Sequence, residues 1–162
     1  GAWQALQDAK RAGLVRAIGI STHHVDVARA MADVSACDVV FALLNYRGMG
    51  IRCGQEAGTK EDMVAAFTVC KAAGKGIYTM KALGGGNLTA DYQKALDYVF
   101  SQDCVDAVML GFTNTSEIDD MMRYLSGNQL KISKSWQVHT LNPSDWIRKK
   151  RGIIRSRDGG SR

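Results

Sequence analysis

The chain has 162 residues, 46% of them apolar, with 17 glycines and a formal net charge of +5. That length supports one ordinary domain with a real core, and no apolar run approaches the roughly 18 residues that a membrane helix needs. The charge says little about the body: seven of the 21 basic residues lie in 148–162 against one of the 16 acids, which puts +6 on the tail and −1 on residues 1–147.

The segment from Ala2 to Arg11 carries Trp3, Leu6 and the aliphatic stem of Lys10 at helical spacing, and Gly13 supplies its stop. Val15 to Ser21 reads as a short strand, with Ile18 and Ile20 on one side and Ala17 and Gly19 on the other. Small residues inside a strand predict close approach of a neighbour. Residues 24–32 form a short helix, and Asp38 to Leu44 is a continuous apolar run, the pattern of a strand buried on both faces. Residues 46–58 read as a glycine-rich loop. Thr59 then caps a helix with Asp62 three positions on, and Met63, Phe67 and Cys70 share one face.

Gly76 to Ala82 is the third strand, and it ends in Leu83-Gly84-Gly85-Gly86. Thr89 is read as the cap of a helix with Tyr92, Leu96, Val99 and Phe100 inward. Val105 to Gly111 is the fourth strand, and Thr115 opens a helix carrying Ile118, Met122 and Leu125 that stops at Gly127. Residues 128–147, with Trp136 and Trp146, read as a short extension, and 148–162 as a disordered basic tail. Helices alternating with apolar strands imply a parallel sheet with right-handed crossovers. Four such strands fit an open doubly wound sheet or half of a (β/α)8 barrel, and composition does not separate the two.

The scattered cysteines Cys37, Cys53, Cys70 and Cys104 form no C-x-x-C pair and have no histidine at ligand spacing. They read as small, mostly buried thiols of a cytoplasmic protein. His23 and His24 are adjacent, so they read as surface or cap residues at a helix start rather than as a metal or acid–base pair.

Several stretches together resemble one family. Trp3-x-x-Leu6, Lys10-x-x-Gly13 and Arg16-Ala17-Ile18-Gly19-Ile20-Ser21 are similar to the helix and strand in the middle of an aldo/keto reductase barrel. Asp38-Val39-Val40 with Asn45-Tyr46 resembles the next strand. Met80-Lys81-Ala82-Leu83-Gly84-Gly85-Gly86 is similar to the family's K-x-L-G-x-G strand end. Val105-Asp106-x-Val108-x-x-Gly111, followed by Ser116-Glu117-Ile118, resembles the last strand and its helix. The resemblance implies an α/β fold, a TIM-type (β/α) barrel of which this chain holds about half, strands five to eight, over residues 1–147. The chain is accordingly expected to be a fragment.

The resemblance also implies NADP or NAD as cofactor and carbonyl or aldehyde reduction by hydride transfer. The family's catalytic Asp, Tyr, Lys and His sit on earlier strands, and no segment here corresponds to them, so the chain is expected to be inactive alone. Ser21 and Thr22 match a pair that binds the nicotinamide carboxamide, and Phe41 stands where a glutamine to the same group is common. Met80 matches the residue stacked on the nicotinamide ring. Leu83 and Gly84 would follow the diphosphate and ribose. Lys81 at a strand end needs an anionic partner, while Gly111 and Thr113 match the loop at the adenosine phosphate. Glu117 falls where an arginine for the 2′-phosphate is common, so NADP preference is not implied.

Other readings stand beside this one. A lone half-barrel has open strand edges, so self-association or a complementary N-terminal half-barrel is expected as partner, with no membrane. A non-catalytic dinucleotide-binding or interaction module is the main alternative. Nucleic-acid binding by the basic tail is weaker, because no aromatics interleave the charges after Trp146.

Overall fold

The computed structural model describes residues 1–127. The extension with Trp136 and Trp146 and the basic tail lie outside the described residues. Helix α1 (Ala2–Arg11) leads to β1 (Gly19–Thr22), α2 (Val25–Ala30) with a further 3-10 turn, and β2 (Val39–Leu43). A small hairpin, β3 (Arg52–Cys53) and β4 (Glu56–Ala57), precedes α3 (Lys60–Ala72) and β5 (Gly76–Met80). Two 3-10 turns then lead to α4 (Tyr92–Phe100), β6 (Ala107–Val108) and α5 (Thr115–Leu125).

The main sheet has the order β1-β2-β5-β6, and every pairing in it is parallel. Sequential order lacks the reversal of a doubly wound sheet and is that of a barrel wall. The sheet is open among the described residues, with β1 and β6 as its edges. One face carries Val40, Ala42, Ile77 and Thr79, all almost fully buried. Val25 and Ala28 of α2, Met63, Ala66, Phe67 and Cys70 of α3, and Val99 of α4 join this face in one core. Full burial of a side chain such as Phe67 contributes about 1.5–3 kcal/mol, and this single helix layer is where most of that burial is concentrated.

The opposite face is different. Gly19, Val39 and Gly76 lie in one row, and Ser21, Phe41, Tyr78 and Ala107 in the next. Val39, Phe41 and Tyr78 are only partly buried. The expectation that β2 is buried on both faces is therefore corrected for these rows, whereas Leu43 and Met80, farther along the same face, are buried. Two strands are also shorter than expected. β1 starts at Gly19 because its partner begins at Val39, which leaves Val15 40% exposed. β6 is two residues long, extended by one bond from Met109 N to Thr79 O of 2.8 Å.

The local signals explain the helix ends. Thr59 Oγ1 accepts from Asp62 N at 3.0 Å, as the capping box requires. Thr89 does not cap α4: its hydroxyl donates to Gly86 O at 3.0 Å, and Asp91 takes the cap position with no side-chain bond. α1 and α3 end alike. Gly13 N donates to Lys10 O and Leu14 N to Ala9 O, while Gly74 N donates to Lys71 O and Lys75 N to Cys70 O. Both glycines sit at positive φ, 73° and 77°. This is the Schellman pattern, which reverses the chain so that the next strand runs back along the helix.

A second device repeats in the same two units. Asp38 accepts from Lys10 Nζ at 2.6 Å and from Ile18 N at 2.8 Å. Asp106 accepts from Lys71 Nζ at 2.6 Å and from Ile77 N at 2.7 Å. Each aspartate stands before one strand and clamps the helix and strand of the preceding unit. Both clamps lie at the N-terminal end of the sheet, the end that serves stability in barrel folds.

One buried group is left without a bond. Thr79 Oγ1 is buried and has no hydrogen-bond partner among the described residues. A desolvated, unmade hydrogen bond costs about 1–3 kcal/mol. Thr79→Val is therefore expected to stabilise the fold by about 1 kcal/mol, read as a higher urea midpoint with an unchanged m-value.

Candidate nucleotide site at the C-terminal strand ends

The C-terminal ends of β1, β2 and β5 lie at one end of the sheet, with the Leu83–Gly86 turn following β5. Ser21 is exposed, in register with Phe41 and through it with Tyr78. The Phe41 and Tyr78 rings are stacked, with centroids 4.2 Å apart and planes 10° from parallel. Together they make a flat, half-exposed aromatic shelf. Tyr78 was missed in the sequence, although it sits two residues before Met80 and therefore on the same face.

Lys81 follows immediately. It is exposed and is the one non-glycine described residue at positive φ, 57°. Such backbone costs a bulky residue about 1–2 kcal/mol and persists where the surroundings impose it. Here the chain must turn into a glycine run, and Gly84 N donates to Lys81 O at 2.8 Å. His23 lies at the same end. Burial pushes its pKa down, with Lys81 and then His24 as further causes. Among the described residues no group of His, Cys, Asp and Glu is arranged to hold a metal ion.

The glycine turn is left-handed, with φ of 58°, 68° and 100° at Gly84, Gly85 and Gly86. A Cβ on Gly84 would lie 2.9 Å from Leu88 Cγ, whereas nothing stands within 4 Å of one on Gly85 or Gly86. The turn is thus packed underneath and open above. Leu83 is buried beside Leu88, Tyr92 and Met121 and anchors it. Met80 is 7% exposed, paired in register with Leu43. Asn45, fully buried, holds the loop that follows β2: its Oδ1 accepts from Met49 N at 2.9 Å and its Nδ2 donates to Met49 O at 3.0 Å.

Other expected residues are engaged elsewhere. Thr22 is buried on the helix-facing side, and its Oγ1 accepts from His24 N at 3.0 Å, a turn contact into α2. Gly111 and Thr113 are exposed. Glu117, 4% exposed, accepts from Thr113 N at 2.6 Å and from Thr113 Oγ1 at 2.7 Å. Asn114 Oδ1 in turn accepts from Glu117 N at 3.2 Å. This closed network satisfies the start of α5 and places a carboxylate at the positive end of its dipole. Ser21, Lys81, Gly111 and the open side of the Gly84–Gly86 turn face solvent, with Phe41 partly exposed in the row of Ser21.

Four tyrosines, Tyr46, Tyr92, Tyr98 and Tyr124, are held above the ordinary phenol value. Burial pushes Tyr92 up to about 12, with Asp120 and Glu117 adding to it. Burial also raises Tyr98 and Tyr124, the latter with a hydrogen bond to Asp97 as a further cause. The hydrogen bond to Asp91 raises Tyr46. A general acid working near neutral pH requires the opposite direction. The thiols behave similarly: burial raises Cys37, Cys70 and Cys104, while Cys53 is exposed.

The residues left open therefore combine an aromatic shelf, a hydroxyl, one cation and a glycine turn, a set suited to a planar ring carrying phosphate. A family model described as the aldo/keto reductase family matches residues 1–95, more than half of the chain. The match ends within α4, so β6, Thr113 and Glu117 lie beyond it. No curated protein matches the chain.

Proposed function

Because the chain belongs to the aldo/keto reductase family, whose members use a nicotinamide dinucleotide and share a TIM-barrel fold, we propose that it binds such a cofactor at the C-terminal strand ends and does not by itself reduce a carbonyl. The carrying observation is the stacked Phe41–Tyr78 shelf with Ser21 in the same row and Lys81 beside it at positive φ. A bound nicotinamide dinucleotide supplies hydride. The chain's residues would position it: the shelf would cover one ring face, Ser21 would offer its hydroxyl to the carboxamide, and Lys81 would pair with a phosphate. The Gly84–Gly86 turn lets the backbone approach the diphosphate, as backbone nests do.

Two further parts of the reading follow from the residues. The tyrosines with raised pKa values support a chain without the family's proton-donating machinery, acting as a dinucleotide-binding module. Glu117, with its carboxylate buried at the start of α5, disfavours a 2′-phosphate there, so NADH is expected to bind at least as well as NADPH. The edges of β1 and β6, open among the described residues, favour self-association.

Titration of the full chain with NADH and NADPH, followed by cofactor fluorescence, tests this. Micromolar binding is expected, with Lys81→Ala weakening it about tenfold, the effect of one lost charge-assisted contact. Absence of binding to either cofactor overturns the site. Turnover of a simple aldehyde by the chain alone overturns the non-catalytic part and leaves the site standing.

A further inference from the structure

The loop after β2 is built as a rigid clip. Asn45, fully buried, accepts at Oδ1 from Arg47 N at 3.2 Å and from Met49 N at 2.9 Å, and Gly48 N donates to Asn45 O at 3.0 Å. One buried residue thus fixes the backbone of the loop, which carries two large side chains, Tyr46 and Met49.

Both reach the segment that follows β5, one near each end of it. The Met49 sulfur lies 3.6 Å from where a Cβ on Gly84 would stand. The Tyr46 hydroxyl donates to the carboxylate of Asp91, the residue that precedes α4. The Tyr46 ring packs against the buried cluster of Leu83, Leu88 and Tyr92, and the Lys94 ammonium stands 4.9 Å from the ring centroid, within cation–π reach. Asp91 makes no side-chain cap bond to α4, so its carboxylate serves the clip rather than its own helix. Between the two grips lie Gly84, Gly85 and Gly86, all at positive φ. Glycine loses more conformational freedom on ordering than any other residue, so such a run gains most from fixed flanks.

From these contacts we infer that Tyr46 and Asp91 are positioning residues: their hydrogen bond, with Met49 at the other end, holds the Gly84–Gly86 turn in its left-handed shape before any ligand arrives. The consequence for cofactor affinity rests on the nucleotide reading above, whereas the clip itself does not.

Amide hydrogen exchange of the full chain tests it. Gly84 N donates to Lys81 O, and Gly86 N and Leu88 N donate to Leu83 O, so protection of these amides reads how often the turn opens. Tyr46→Phe keeps the ring and removes the donor, while Asp91→Ala removes the acceptor. Each is expected to speed exchange at these amides about tenfold, the effect of one lost hydrogen bond to a charged group, with exchange in α3 unchanged. Asp91→Asn keeps an acceptor oxygen and is expected to stay near the parent. The double variant Tyr46→Phe/Asp91→Ala is expected to exchange no faster than the faster single variant, because both remove the same bond. NADH is expected to bind Tyr46→Phe about threefold more weakly, since apparent affinity scales with the fraction of molecules whose turn is ready. Unchanged exchange in Tyr46→Phe, additive effects in the double variant, or faster exchange throughout the chain overturns the clip. Faster local exchange with unchanged NADH affinity overturns the positioning role. Faster local exchange in a chain whose parent binds no NADH supports the clip and overturns the nucleotide reading instead.

Discussion

Gly19→Ala is expected to cost about 3 kcal/mol, at the upper end of what overpacking does, and to leave little folded protein in a domain of marginal stability. Gly19 is paired in register with Val39 of β2. A Cβ at Gly19 would fall inside the van der Waals shell of the Val39 carbonyl oxygen and 2.6 Å from Val39 Cγ2. The oxygen belongs to the backbone of the neighbouring strand, so relief requires β1 and β2 to separate. Gly76, on the other side of Val39 in the same row, is the control. Its added Cβ would meet Val39 Cγ1 at 3.1 Å, a side-chain atom able to move. Gly76→Ala is therefore expected to change stability by less than about 1 kcal/mol. Urea unfolding of the two variants reads the difference. Equal losses would show that the β1–β2 approach is not the determinant.

That contrast marks what a sequence carries and what it does not. Gly19 within an apolar strand was legible as a close approach, because only a missing side chain explains glycine at such a position. The helix stops at Gly13 and Gly127 and the Thr59 cap were legible for the same reason: each rests on local backbone geometry. The four strands and their parallel pairing followed from apolar runs alternating with helices. What escaped depended on the third dimension. The seven-residue run Asp38–Leu44 has the composition of a strand buried on both faces, but burial depends on the layers present, and Phe41 is left half-exposed. Thr89 has the residue type of a cap and instead bonds Gly86.

The site divides in the same way. Ser21 and Phe41 were singled out by the family resemblance and Lys81 also by its place after a strand; Ser21 and Phe41 share one register row, and Lys81 follows the last residue of β5. Tyr78 was missed because nothing in its local sequence reveals a stacking partner 37 positions earlier; only the β2–β5 register brings the two rings together. Thr22 and Glu117 have side chains fit for a ligand, yet nearer partners, His24 N and Thr113, take them up. Short polar side chains beside helix starts find backbone donors first, and sequence pattern does not say which contact wins.

Removing the two aspartate clamps is expected to make the protein both less stable and less sensitive to acid. Asp38→Asn loses the ion pair with Lys10 and weakens the bond from Ile18 N. Hydrogen bonds to a charged group contribute about 1.5–3 kcal/mol when well shielded. The Asp38 side chain is 30% exposed, which reduces the expected loss to about 1.5 kcal/mol. Asp106 is 46% exposed, so Asp106→Asn is expected to cost about 1 kcal/mol. The two meet at the start of β5, where Gly76 N donates to Asp38 O and Ile77 N to Asp106 Oδ2. The double variant is therefore expected to lose at least the sum, about 2.5 kcal/mol, with any excess reporting coupling through β5. Lys10→Met is expected to cost less than Asp38→Asn, because Asp38 keeps its bond from Ile18 N.

The pH dependence has a definite sign. The Lys10 hydrogen bond, then Ile18 N, holds Asp38 below the ordinary value of 3.8, and Ile77 N, then Lys71, does the same for Asp106. The folded state therefore binds fewer of these protons than the unfolded state does. The stabilisation is complete above the unfolded carboxylate range and disappears as pH falls through the lower folded values. Between about pH 5 and pH 2 the parent is expected to lose more stability than the double variant, whose asparagines do not titrate. Urea midpoints across that interval measure it. Parallel pH curves for parent and double variant would show that acid sensitivity originates elsewhere, and would leave the clamps as neutral hydrogen-bonding devices.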